Sequence, residues 1–292
     1  MRKIIILSLI NIFLVYAAYA QEETASVSTT TSSSSIVNKK GMAILPAAGD
    51  FAIGGDALPY LRYVGNIFNG NTNNQLNLGS ATVMGRYFLT SQSAVRISFN
   101  IDNGYYVNRY FVDDEAAQFE DPFSQDKVID QRSTKYQSWM VMAGFQKFRG
   151  YGRLQGFYGA VVGYGQNRTI REYQYGNEMV EQNQSPLTSN FGGGQSNLQT
   201  RTLYDDGGLT REIQFGPVVG VEFYFAPKMC IGAEANILMY VNMNTESNYT
   251  YEEWVDGDRQ EFEIEDEPDE WERNIFSSGL GAYGGLYVMF HF

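Results

Sequence analysis

Side-chain acid–base chemistry at neutral pH runs most readily through histidine, and this chain of 292 residues holds one, His291, next to its last residue. A serine or cysteine nucleophile needs such a base within hydrogen-bond reach. No Ser/His/Asp set can be assembled around a histidine at the end of the chain, so the expectation is a protein that is not an enzyme. The single cysteine, Cys230, has no partner for an intramolecular disulfide, and one histidine with one cysteine cannot build a common zinc site. Gly279-x-Gly281-x-x-Gly284 spells a dinucleotide fingerprint. That fingerprint needs a following helix and an acidic residue about twenty positions on, and here the segment alternates like a strand.

Carboxylates are the abundant chemistry. The chain carries 33 acidic and 21 basic side chains, a formal charge of −12. Such a chain repels phosphate backbones, so nucleic acid is excluded as a partner. Twelve of the acidic residues lie between 252 and 272, against Arg259 alone. A solvated, self-repelling loop is the plain reading of such a run. The spacing offers more: Asp256 and Asp258 flank Gly257, and Glu261, Glu263 and Glu265 alternate about Phe262 and Ile264, which suggests strands that extend above the membrane and present a carboxylate row. Oxygen-rich clusters suit hard cations, which makes Asp256, Asp258, Glu261 and Glu263 candidate ligands for weakly bound Ca²⁺; no cofactor beyond that candidate is expected.

These side chains must be positioned by strands. Val95, Ile97, Phe99 and Ile101 share one face of residues 94–102, with Arg96, Ser98, Asn100 and Asp102 on the other. Residues 211–225 and 229–241 repeat the pattern, with Glu222 and Glu234 on their polar faces. Period two with one apolar and one polar face is a sheet wet on one side. Read this way there are about eight strands, over 50–64, 81–90, 94–108, 134–148, 154–172, 211–225, 229–250 and 273–292. Connections near 90–93, 149–153 and 226–228 are short; those near 65–80, 109–133, 173–210 and 251–272 are long. An even strand count with short turns at one end and long loops at the other is the pattern of transmembrane β-barrels. A soluble lipocalin-type barrel also alternates, but it needs a polar outside. The second face here is rich in small residues: Gly281, Tyr283, Gly285, Tyr287, Met289 and His291 in the last strand. That face suits a tight interior.

An eight-stranded barrel is just wide enough for side chains to fill. Asp56, Arg86, Arg96, Glu222 and Glu234 fall on its inward parity, and burial obliges such charges to act as a paired set. Aromatics at the strand ends (Tyr105, Tyr106, Tyr110 and Phe111; Tyr173 and Tyr175; Tyr249, Tyr251 and Trp254) read as an interfacial girdle, with sugar stacking as the alternative. Leu286, Val288, Phe290 and Phe292 alternate to the last residue, so Phe290 and Phe292 are the expected assembly signal.

Residues 1–20 carry Arg2 and Lys3, an apolar run from Ile4 to Val15 and the small-x-small site Ala18-Tyr19-Ala20, the signature of a secretory signal peptide. Residues 21–40 are Ser/Thr-rich with little to bury and read as a flexible linker. Residues 41–292 are then the barrel domain.

Three stretches resemble outer-membrane β-barrel domain proteins of the Bacteroidota: GDFAIGGDALPYLRYVGNIFNG over 49–70, GRYFLTSQSAVRISFNI over 85–101 and GGLYVMFHF over 284–292. The resemblance implies an all-β, eight-stranded antiparallel up-and-down transmembrane barrel in the outer membrane of a Gram-negative bacterium. Its turns would be periplasmic, and its surface loops extracellular. It implies no substrate and no catalytic residue. The functional expectation is a structural or surface-interaction role, with a narrow channel for small or apolar solutes as the alternative. The expected partners are outer-membrane lipid, lipopolysaccharide and the barrel-assembly machinery; no protein partner is indicated.

Overall fold

The computed structural model describes residues 36–57, 81–266 and 277–292. The signal-peptide segment 1–20, most of the Ser/Thr tract and the connection at 65–80 lie outside the described residues, as do 57–64 beyond Ala57 and the acidic positions 267–272.

The strands are β1 (Phe51–Asp56), β2 (Ala81–Thr90), β3 (Ser93–Asp113), β4 (Lys127–Tyr151), β5 (Leu154–Gln174), β6 (Leu187–Ser189), β7 (Gln195–Asn197), β8 (Thr200–Ala226), β9 (Met229–Asn244), β10 (Ser247–Val255), β11 (Asp258–Asp266) and β12 (Ser277–His291), with one short helix, α1 (Glu115–Glu120). Every pairing is antiparallel. Following the pairings, β1, β2, β3, β4, β5, β8, β9 and β12 return to β1 and close a ring of eight. Closure satisfies every strand edge in the ring, which an open sheet cannot do. The dinucleotide-like glycines sit within strand β12, not before a helix.

Period two along each strand decides the two faces. On β4, outward positions run Lys147, Phe145, Ala143, Val141, Trp139, Gln137, so the apolar stretch is bracketed by polar residues ten positions apart. At ~3.3 Å per residue and a tilt of about 40°, that stretch is about 25 Å tall, the height of the lipid-facing band of a transmembrane barrel. The band continues around the ring with Ile97 and Phe99 on β3, Val162 on β5, Phe215 and Val219 on β8, Ile237 and Met239 on β9, and Phe290 on β12, all exposed. These are large apolar side chains left open in a regular belt, whereas scattered exposed apolar residues would need no explanation.

The tight turns join β2 to β3, β4 to β5 and β8 to β9. In the last, Lys228 adopts φ 56°, a conformation costly for a residue with a Cβ. It is held by three contacts: its N–H donates to the Ile44 carbonyl (3.0 Å), its carbonyl accepts from the His291 N–H (2.8 Å) and its ammonium meets Asp50 at 2.9 Å. The same contacts tie down the segment before β1. Ile36 and Val37, assigned on composition to the linker, pair back onto Ala43 and Ile44. Asn38 Oδ1 accepts from the Lys40 and Met42 N–H groups. Among the described residues, 36–40 thus pack with the barrel ahead of Gly41: Ile44, 1% exposed, joins the core at the turn end of the lumen and Ile36 packs beside it.

At the opposite end the strands run further than their alternation indicates. β3 reaches Asp113 and β4 starts at Lys127, so the loop expected at 109–133 shrinks to a short connection carrying α1, N-capped by Asp114. The 173–210 connection is likewise reduced, and contains the β6–β7 hairpin. The acidic stretch expected to be a loop forms the β10–β11 hairpin, which continues β9 upward and pairs with the first part of β8.

Candidate functional site

Two layers of charge cross the lumen. Arg86 on β2 meets Glu222 on β8, Nη1 to Oε1, at 2.6 Å, with side chains 2% and 0% exposed. β2 and β8 stand four strands apart in a ring of eight, so the pair bridges opposite walls. Tyr287 O–H donates to Glu222 Oε1 (2.5 Å) and Tyr224 O–H to Oε2 (2.9 Å), leaving neither carboxylate oxygen without a donor. The guanidinium lies 5.0 Å from the ring centre of Phe148 and 5.9 Å from those of Phe88 and Phe157, within cation–π range. Two glycines make room for this collar: a Cβ at Gly232 would collide with the Tyr287 ring, and one at Gly220 with Phe157. Above it, Arg96 on β3 reaches Glu234 on β9 with two hydrogen bonds of 2.6 and 3.2 Å, again between opposite walls. Asp56 closes β1 in register with Tyr287. Cross-lumen ion pairs and an aromatic collar thus occupy the interior at these two layers.

A second polar assembly sits on the side of the long connections. Asp130 on β4, fully buried, accepts the backbone N–H groups of Gly176 (2.8 Å) and Ser189 (2.7 Å) and so ties residues 176–189 to the wall. Asn177 Nδ2 donates to the carbonyls of Asp113 (2.9 Å) and Leu187 (3.0 Å), while its Oδ1 accepts from Glu115 N–H (3.0 Å). The Glu115 carboxylate accepts from Leu187 N–H and Asn183. Arg201 donates through Nε to Glu252 (2.7 Å) and through Nη1 to the Asn177 carbonyl (2.7 Å), and stacks over Tyr175 at 4.6 Å. Arg259 closes on the other oxygen of Glu252 at 2.9 Å. Phe191 sits among Tyr110, Tyr173 and Tyr175. Burial pushes the Tyr175 phenol up, so it stays protonated and donates to the Thr202 carbonyl at 2.7 Å. Tyr110, Tyr173 and Tyr175 therefore belong to this cap and not to a headgroup girdle, because the connection after β5 folds back and brings Phe191 onto them.

The four candidate calcium ligands do not converge. Asp256, at φ 53°, and Gly257 make the β10–β11 turn. Asp258 folds back to accept Arg259 N–H (2.8 Å), Glu261 pairs with Arg259 (3.0 Å) and Glu263 accepts from Asn248 (3.1 Å). Alternation strings Glu261 and Glu263 along one face of a strand, two residues apart, where a cage would need them folded around one point. Among the described residues no group of three or more His, Cys, Asp or Glu side chains could hold a metal ion.

His291 is buried at the turn end of the lumen, its Nδ1 donating to the Lys228 carbonyl at 3.1 Å. Phe290 faces outward in the apolar band. Phe292 exchanges backbone hydrogen bonds with Phe51 (2.7 and 3.3 Å), the last rungs where β12 closes on β1. Asp130, Glu115, Asn177 and Arg201 escaped sequence reasoning. They lie where strand alternation fades, and their only signal is a set of single polar residues among other polar ones.

Fold and site together define a closed eight-stranded antiparallel β-barrel, plugged by cross-lumen ion pairs and capped at one end. No family model and no curated protein sequence matches the chain. Among solved structures it is similar to Ail, the attachment invasion locus protein of Yersinia pestis, at 10% identity, covering 84% of this chain and 99% of that one with a TM-score of 0.31. That likeness is loose, and the fold rests on the closed ring of strands itself.

Proposed function

We infer that this protein is a non-enzymatic barrel of the bacterial outer membrane, with a structural or surface-contact role carried by its extracellular cap. The observation that carries the reading is the apolar belt about 25 Å tall on the outside of a closed ring. In water that belt would drive aggregation, and in lipid it is the favourable surface. The short turns then face the periplasm, and the cap with its acidic hairpin faces outward, where it meets lipopolysaccharide or a protein partner. Biogenesis through the barrel-assembly machinery follows from the same placement, with Phe290 and Phe292 on the closing strand as the segment to be recognised.

The channel reading is disfavoured by the Arg86–Glu222 layer, which fills the lumen between opposite walls. Catalysis is disfavoured by the position of His291, sealed at the turn end away from the cap. The experiment is fractionation with a gel-shift assay. The protein is expected in the outer-membrane fraction, migrating faster unheated than boiled, because a closed barrel resists detergent until heated. A soluble periplasmic pool with no heat shift would contradict the placement.

A further inference from the structure

The outward faces of β3, β4, β5 and β8 change character along one line. Going up each strand, Ile101 is followed by Asn103, Trp139 by Gln137, Tyr164 by Gln166 and Ile213 by Arg211. Register places these residues side by side: Asn103 opposite Gln137, Gln137 opposite Arg168, Gln166 opposite Arg211, and Tyr105 opposite Lys135. Three cations, Lys135, Arg168 and Arg211, therefore stand on adjacent strands directly above the apolar belt, on a chain whose formal charge is −12. Arg168 is shared with Asp206, to which its Nε donates at 3.0 Å. Lys135 and Arg211 have no carboxylate partner among the described residues. An open groove of about 540 Å³ lies between β3 and β4 beside these cations, lined by Asn103, Gly104, Tyr105, Lys135, Tyr136 and Gln137.

The polar side chains lining the groove, the Lys135 ammonium, the Asn103 and Gln137 amides and the tyrosine phenols, can each donate a hydrogen bond. Arg168 and Arg211 stand beside it on β5 and β8, Arg168 being shared with the Asp206 carboxylate. Such a set fits an anion with several acceptor oxygens, and a phosphate ester is the anion that lies just outside the hydrocarbon of a bilayer. We propose that Lys135 and Arg211, with Arg168, Asn103, Tyr105 and Gln137, bind the phosphate of an outer-leaflet lipid A headgroup against the outside wall of the barrel. This rests on the membrane placement above and assigns the lipid contact to the basic groove instead of the acidic hairpin.

The test uses the full protein refolded in detergent and titrated with bisphosphorylated lipid A, beside lipid A from which the phosphates have been removed. The readout is the temperature at which the fast-migrating folded band is lost. Phosphorylated lipid A is expected to raise that temperature and the dephosphorylated form to leave it unchanged. Lys135→Gln and Arg211→Gln are each expected to weaken the apparent affinity about tenfold, since a charge-assisted hydrogen bond is removed. Equal responses to the two lipids, equal affinities for variant and wild type, or no response at all would overturn the site. A protein that gives a heat-shifted band yet ignores the phosphates leaves the membrane reading intact and refutes the site alone. A protein that gives no folded band in detergent refutes both.

Discussion

Replacing Glu222 by leucine is expected to remove most of the folded barrel. The change leaves the Arg86 guanidinium buried between walls with no counter-charge, a loss of about 3–5 kcal/mol. It also strips the acceptor from the Tyr224 and Tyr287 hydroxyls, and each buried donor left without a partner costs about 1–3 kcal/mol. The urea midpoint of refolded protein should fall sharply and the heat-shifted band should be lost. Arg86→Met combined with Glu222→Leu should recover much of the loss, because a buried pair replaced by apolar residues of similar volume is often close to neutral. The aromatic collar already offers apolar surroundings for the methionine. A single variant as stable as wild type would mean that Arg86 and Glu222 do not pair across the lumen.

Asp130→Ala should release the cap without opening the barrel. Both oxygens of this buried carboxylate hold backbone N–H groups, of Gly176 and Ser189, so its removal leaves two buried donors without acceptors. About 2–6 kcal/mol is lost locally, enough to expose the connection after β5. Limited proteolysis should then cut between 176 and 199 in intact cells, while the folded band on an unheated gel persists. Resistance equal to wild type would show that the cap is held mainly by Phe191 and the Arg201–Glu252 pair.

The ring was readable in the sequence because one physical demand, an apolar outside over a mixed inside, is written on every strand with period two. Val95, Ile97, Phe99 and Ile101 state it without ambiguity. The same parity identified Arg86, Arg96, Glu222 and Glu234 as inward, but not which cation meets which carboxylate. That depends on strands four places apart in the ring and more than a hundred residues apart in the chain. The half on the side of the long connections is far less legible. Above the belt both faces of a strand meet water or polar partners, so Lys127–Ser133 and Thr200–Thr210 lose their alternation while remaining strand. The acidic hairpin is half legible for a related reason: the alternation of Glu261, Glu263 and Glu265 about Phe262 and Ile264 marks a strand, while the charge run reads as a loop. Its charge dominates its composition, while the pairing that makes it a strand, Tyr251 opposite Phe262 with rings 5.3 Å apart, is a local contact hidden within the run.

Conductance of the purified wild-type protein in planar bilayers tests the plugged barrel most directly. Vesicle reconstitution should first show it inserted, and it should then carry no steady current, because the Arg86–Glu222 and Arg96–Glu234 layers fill the lumen between opposite walls. Steady ohmic openings from the inserted wild-type protein, changed in size or ion preference by substitution of Arg86 or Glu222, would contradict the account and make the barrel a channel.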